Sequence, residues 1–259
     1  MFQRGLVEHI VAPSTPMALH ALFESSNPMD RETNPGMLRA TPVNWVPETN
    51  PFVHAEGPDC PPLVDAAIDM ATRAPAPAVA RAGWLTFTLL SIHPFVDGNG
   101  RTSRMMFHAV AADDLAVGLD WGIAEQWSLR RSLYIDALQR GQQVGSYVPE
   151  RLDALPFMTF SAEASADGAD LCRERLRVLS DEHSSLVAGG LGKDAAQVLL
   201  AVRLQRVATL RQLERLGHDD EALVAIVESL VHRNLLHWRS RHAGWRTADH
   251  PDPIGLVAA

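Results

Sequence analysis

The chain is predicted to be mainly α: a helical core with a small β-hairpin flap, followed by a winged-helix domain. Three observations predict it. Apolar residues recur at helical spacing along most of the sequence, and one segment, Ala78 to Ile92, is apolar nearly all round. Residues 27 to 62 break that spacing; they are rich in Pro, Asn and Thr and hold β-leaning runs at Thr41 to Val46 and Phe52 to His54. The C-terminal part shows three helical patterns and then two short strand patterns. The expected boundaries are a first domain over 1–165, a connecting helix and linker over 166–192, and a winged helix-turn-helix domain over 193–250.

Each element has its own reason. Met17 to Glu24 is a short helical run that ends in the breaker cluster Ser-Ser-Asn-Pro. Helical spacing resumes at Leu63, where Leu63, Ala67, Met70 and Ala71 share a face, and breaks again over Thr72 to Pro77. The apolar segment ending at Ile92 belongs in the domain centre. Pro94 cannot continue it, and a residue before proline is steered away from helical backbone. A second helix is expected from near Arg101, carrying Met105, Met106, Phe107, Val110 and Ala111. Amphipathic helices follow over Leu129 to Arg140, Pro149 to Ala164 and Asp170 to Val187, and Gly189-Gly190-Leu191-Gly192 reads as a linker. Asp194 to Gln205, Thr209 to Arg215 and Asp219 to Arg233 are the three C-terminal helices, with Asp219 a good N-cap. Leu235 to Trp238 and Gly244 to Thr247 read as two strands around a turn.

Composition excludes several classes. The chain has 259 residues, 46% hydrophobic and 21% charged, which is enough to bury a sizeable core. No apolar run approaches the roughly twenty residues that span a bilayer, and the N-terminal stretch lacks the apolar core of a signal peptide. Cys60 and Cys172 lie far apart without metal spacing, as expected of reduced thiols in a cytoplasmic protein. The formal net charge of −8 argues against broad nucleic-acid or membrane affinity. Lys193 is the sole lysine among many arginines, a bias that fits a GC-rich bacterial genome.

The most informative stretch runs from His93 to Arg104: His-Pro-Phe-Val-Asp-Gly-Asn-Gly-Arg-Thr-Ser-Arg. His93 suits a general base, because an imidazole titrates near neutral pH. Asp97 is a hard oxygen ligand for Mg²⁺ against phosphates. Gly98 and Gly100 let backbone approach an anion without a Cβ clash, at a helix N-terminus whose free N–H groups and dipole favour negative charge. Asn99 offers an amide donor. Arg101 and Arg104, three apart on the new helix, can present guanidinium forks to distal phosphates and a leaving pyrophosphate. Singly, a histidine before proline is usually structural and Asp-Gly-Asn-Gly is usually a tight turn or a calcium-loop fragment; the combination carries the reading.

These residues resemble the signature of the Fic domain family, His-Pro-Phe-x-Asp/Glu-Gly-Asn-Gly-Arg-x-x-Arg, at every defined position. Gly36-Met-Leu-Arg39 followed by Val43 is similar to the family's flap entry. Arg131-Ser-Leu-Tyr134-Ile-Asp-Ala-Leu138 resembles its later Tyr-x-x-x-Leu helix, so the likeness runs from about Met17 to Ala164. The resemblance implies an all-α core with a β-hairpin flap that holds a target segment by strand addition. It also implies Mg²⁺-dependent transfer of AMP from ATP to a Ser, Thr or Tyr hydroxyl of a target protein. Retention of Gly98, Gly100 and Arg104 favours adenylylation over the family's other chemistries, while UMP or GMP transfer stays open. The sequence departs from a common pattern at Thr86, where many relatives carry a histidine seven residues before the catalytic one.

Many relatives also carry an inhibitory helix with the pattern Ser/Thr-x-x-x-Glu-Gly/Asn. No complete match occurs: Ser146 to Glu150 contains Pro149, and Thr159 to Glu163 is followed by Ala164. Thr159 to Glu163 leaves a degenerate internal inhibitor open; a separate inhibitory partner, or no control, is the leading expectation. In the C-terminal module, residues 193 to 246 hold nine basic and six acidic residues. The recognition-helix position opens Asp219-Asp220-Glu221, which repels phosphate; Arg239, Arg241 and Arg246 on the wing are the phosphate candidates. The module is therefore expected to make protein contacts, a homodimer among them, with weak or no DNA binding. The alternative is a DNA-binding or adaptor protein whose core only binds nucleotide. His232, His237 and His242 fit no zinc spacing.

Overall fold

The computed structural model of the chain describes residues 11–25, 34–42, 52–112, 122–142, 145–205, 208–239 and 244–247. It divides into two compact units, Met1–Cys172 and Arg173–Ala259. Among the described residues no helix is long and apolar enough to cross a membrane.

The first unit is helical: α1 (Thr15–Ser25), α2 (Cys60–Arg73), α3 (Ala78–Ile92), α4 (Asn99–Ala111), α5 (Ile123–Leu129), α6 (Arg131–Gly141) and the first part of α7 (Leu155–Ala188). Helix α3 is the centre, as its unbroken apolar character requires: Ala82, Leu85, Phe87, Leu89 and Ile92 are all buried, and it packs between α2 and α4. Thr86 joins α3 to its neighbour, its hydroxyl donating to Ala82 O at 2.8 Å and to Ser103 O on α4 at 3.3 Å. Aromatic rings close the far side, with Phe107 edge-on to Trp127 at 4.9 Å and Tyr134 edge-on to Phe157 at 5.2 Å.

The flap region lies only partly within the described residues. Its expected strand at Thr41 to Val46 lies mostly outside the described residues, as does Val43. Among the described residues there is no hairpin here; Val53 instead makes an isolated parallel bridge with Ser146.

Several boundaries differ from the periodicity. The two helices expected over 149–164 and 170–187 are one continuous α7, which carries the chain from the first unit into the second. The cause is tertiary: Gly168, where the pattern falters, is buried against the Gly122 turn, and a Cβ on Gly122 would lie 2.9 Å from the Gly168 carbonyl oxygen. Pro149 remains outside, in a 3₁₀ turn over Pro149–Arg151, and Asp153 Oδ1 accepts from Leu155 N at 3.0 Å where α7 begins. Conversely, the helix expected over 129–140 is interrupted at Arg130 (φ −109°, ψ 35°), which separates α5 from α6. Thr209–Arg215 shortens to α9 (Leu210–Leu213) plus a 3₁₀ turn, opened by a capping box in which Thr209 and Gln212 satisfy each other.

The second unit contains the end of α7, α8 (Lys193–Gln205), α9, α10 (Asp220–His232), β1 (Leu236–Arg239) and β2 (Gly244–Thr247). The strands pair antiparallel with Trp238 opposite Trp245, and Ala208 adds a bridge to Trp245. Asp219 caps α10 as expected, accepting from Ala222 N at 2.8 Å. Val198, Leu199, Val202, Leu213, Leu223, Val227, Leu230 and Leu236 form this unit's own core.

Gly141, buried at the end of α6, tests the packing of the first unit. A Cβ there would collide with the Asp153 carbonyl oxygen and the Phe87 ring, and the backbone partner cannot swing aside. Gly141→Ala is expected to destabilise the protein by about 1–3 kcal/mol, read as a lower denaturant midpoint.

Candidate active site

The end of α3 and the start of α4 frame the site. His93 caps α3 with its N–H on Leu89 O at 2.9 Å, in left-handed backbone (φ 56°, ψ 59°). This agrees with the expectation that a residue before proline leaves helical backbone. Pro94 and Phe95 then turn inward, Val96 and Asp97 face solvent, and Gly98 (φ 75°) is the N-cap of α4. The second helix thus starts at Asn99, two residues earlier than its apolar pattern indicates.

Asn99 explains the early start. It is buried, its Oδ1 accepts from Phe95 N at 2.9 Å, and its Nδ2 donates to Phe95 O at 2.8 Å. The amide also locks the turn. Gly100 also has a more specific role than backbone permissiveness: an added Cβ would lie 3.1 Å from Arg104 Nη1, so the missing side chain leaves room for the guanidinium.

Three residues outside the motif hold this turn in place. Arg39 is buried, and its guanidinium donates to His93 O at 2.6 Å, Thr41 O at 2.8 Å, Ile92 O at 3.1 Å and Ala55 O. Its own N–H donates to Pro94 O at 2.9 Å. His20 stacks on Phe95 with centroids 4.1 Å apart and 4° between planes. Gly36 N donates to His20 Nδ1 at 2.9 Å, so Nε2 carries the proton and donates to Asp97 O at 3.1 Å. His54 lies against His93, with ring centroids 4.3 Å apart. Arg39 was visible in the sequence through the Gly-x-x-Arg spacing, whereas nothing marked His20 or His54.

The candidate base is half-buried. Its Nδ1 is enclosed, and a backbone hydrogen bond to Leu90 favours a proton on the ring, so Nε2 is the nitrogen left to meet a substrate. Burial, reinforced by His54 and Arg39, pushes the His93 pKa down to about 4, so the imidazole is neutral at physiological pH. Burial likewise lowers His54.

Asp97 is 58% exposed and lies 3.4 Å from Arg101, an open carboxylate. Among the described residues no group of three or more His, Cys, Asp or Glu side chains could enclose a metal ion. A single exposed carboxylate still suits Mg²⁺, which completes its shell with phosphate oxygens and water. Arg104 lies against the buried Tyr134 phenol and lines a cavity of about 180 Å³ with Ala124, Trp127, Ser128, Arg131 and Tyr134. The motif therefore places a neutral imidazole, an exposed carboxylate and a glycine-bearing helix start at the junction of α3 and α4, with Arg101 and Arg104 along α4 and Arg131 of α6 lining the cavity beside Arg104.

Residues 16–111 match the family model described as the Fic/DOC family. The fold is similar to that of a Fic family protein from Desulfovibrio desulfuricans G20, with a TM-score of 0.54 and 16% identity, covering 96% of this chain and 73% of that one. It is also similar to a Fic domain containing signaling protein from Bacteroides thetaiotaomicron VPI-5482, with a TM-score of 0.52 and 18% identity, covering 65% of this chain and 66% of that one. No curated protein matches the chain.

The lowered histidine pKa has a stability consequence. Above pH 6.5 His93 is neutral in both native and unfolded chains; between 6.5 and about 4 only the unfolded chain takes up its proton. The denaturant midpoint is expected to fall as pH is lowered through that window, and to fall less in His93→Asn than in the wild type.

Proposed function

We propose, from the Fic/DOC family domain over residues 16–111, that this protein transfers AMP from ATP to a hydroxyl side chain of a target protein. Proteins of this family typically transfer a nucleoside monophosphate to proteins. The observation that carries the finer reading is the neutral His93 beside the glycine-bearing start of α4, four residues before the open carboxylate of Asp97.

Nε2 of His93 accepts the proton of a Ser, Thr or Tyr hydroxyl as its oxygen bonds to the α-phosphorus. The bond from that phosphorus to the bridging oxygen breaks, and pyrophosphate leaves. The N-terminal amides of α4, which have no helical acceptor, face the developing charge, and the dipole of that helix adds to them. Asp97 would hold Mg²⁺, which would supply charge neutralisation at the phosphates. Arg101 and Arg104 receive the distal phosphates, and Arg131 gives the adjoining cavity a second guanidinium.

Neither incomplete inhibitory pattern has its complete form in the fold. Ser146 to Glu150 runs through the bridge to Val53 and a 3₁₀ turn, and Glu163 is an exposed residue within α7, followed by buried Ala164. A separate partner, or no control, remains the reading. The second unit we read as a winged helix that contacts protein: α10 opens with Asp220 and Glu221, while Trp238, 52% exposed, stands on the hairpin edge-on to Trp245.

Two measurements test the chemistry. With labelled ATP and Mg²⁺, His93→Asn is expected to lower transfer at least a hundredfold while ATP binding stays within about twofold, since the ring acts on the hydroxyl. Wild-type transfer in that variant refutes the base assignment. By calorimetry, Arg104→Ala should weaken ATP about tenfold or more and AMP much less; equal losses refute the distal clamp.

A further inference from the structure

The segment Phe52–Ala55 crosses the C-terminal end of α3 and is tightly held. Val53 N donates to Gly145 O at 2.8 Å, and Tyr147 N donates to Val53 O at 2.7 Å. Phe52 is buried, and the Ala55 carbonyl accepts from Arg39. His54 therefore has a fixed backbone beneath it. Its Nδ1 lies 3.0 Å from Ser91 O, and a carbonyl can only accept, so Nδ1 carries the proton. Ser91 sits in the last turn of α3, where carbonyls lack helical partners. His54 and Arg39 thus divide that helix end between them, His54 taking the carbonyl of Ser91 and Arg39 those of Ile92 and His93.

That bond fixes the plane of the His54 ring, and the plane lays it on the candidate base. The two imidazoles are tilted by 31° at a centroid separation of 4.3 Å, with Phe52 edge-on to His54 at 5.3 Å. We propose that His54 is a positioning residue: its ring covers one face of the His93 imidazole, excludes water from it and holds it in one orientation for proton abstraction. This rests on His93 being the general base of the proposed transfer. His54 touches no reacting atom; it acts through His93.

A simple cap role for His54 would involve only Ser91. The stack adds a second consequence, because burial is the largest influence on His93 and His54 is the largest charged neighbour. The other charged groups facing His93 are Arg39, across the helix end, and Asp97, on its own turn; Arg39 opposes protonation and Asp97 favours it. Uncovering the ring should therefore restore water to it and raise its proton affinity.

Two substitutions separate ring from cap. His54→Asn keeps a donor for the Ser91 carbonyl and removes the ring; His54→Phe keeps a ring and removes the donor. The His93 ring is titrated by NMR in the full chain for the wild type and both variants, and the acid limb of the transfer–pH profile is recorded alongside. His93 is expected to titrate about one unit higher in His54→Asn, with the acid limb moving by the same amount, and less than half as far in His54→Phe. A wild-type titration in His54→Asn would overturn the proposal in favour of a cap role, and equal shifts in the two variants would overturn it in favour of the His54 charge, which both remove. The NMR titration reads the stack without activity, so a failure of the base assignment, seen as transfer by His93→Asn, is distinguished from a failure of the stack.

Discussion

The site depends on the buried guanidinium of Arg39. Among the described residues no carboxylate pairs with it; backbone carbonyls satisfy it instead, from Thr41, Ala55, Ile92 and His93. A buried charge is tolerated only when its donors are met, and carbonyls at a helix end need donors in turn. Each side therefore supplies what the other lacks. Arg39 ties two segments that precede α2 in the chain to the exit of α3, where the backbone enters the left-handed conformation of His93.

The turn that follows is stiffened from within and from outside. Asn99 bonds both the N–H and the carbonyl of Phe95, and His20 stacks on Phe95 while reaching the Asp97 carbonyl. The Asp97 carboxylate is left largely exposed beside Arg101, and Arg104 lies further along α4 against Tyr134. This distribution separates structure from chemistry within one short motif: Asn99 and Phe95 hold the loop, while His93, Asp97, Arg101 and Arg104 have the character of groups that meet a ligand. Preorganisation of this kind lowers the ordering cost at binding and keeps donors aimed where charge develops.

Much of this was legible in the sequence, for identifiable reasons. The all-round apolar character of Ala78 to Ile92 placed α3 at the centre, and Pro94 marked its end. The spacing from His93 to Arg104 put the candidate groups on one turn. What stayed hidden depends on contacts distant in sequence. Gly168 looked like an interruption because nothing local shows that it packs on Gly122; the helix runs through it. The structural role of Asn99 stayed hidden because its two partners on Phe95 meet it only once the turn closes. His20 and His54 carried no pattern at all, since a single imidazole gains its role from whatever the fold lays beside it.

The left-handed backbone at His93 also constrains how this fold could drift. Most L-residues are strained at positive φ, whereas glycine is not and asparagine is less so than most. A lineage that kept the scaffold but abandoned the chemistry would meet a conformational filter at this one position, quite apart from selection on activity. Asparagine or glycine would pass it at little cost, while a β-branched residue would strain the junction that Arg39 holds together. Degenerate descendants should therefore show a narrow, backbone-dictated spectrum at the position of His93.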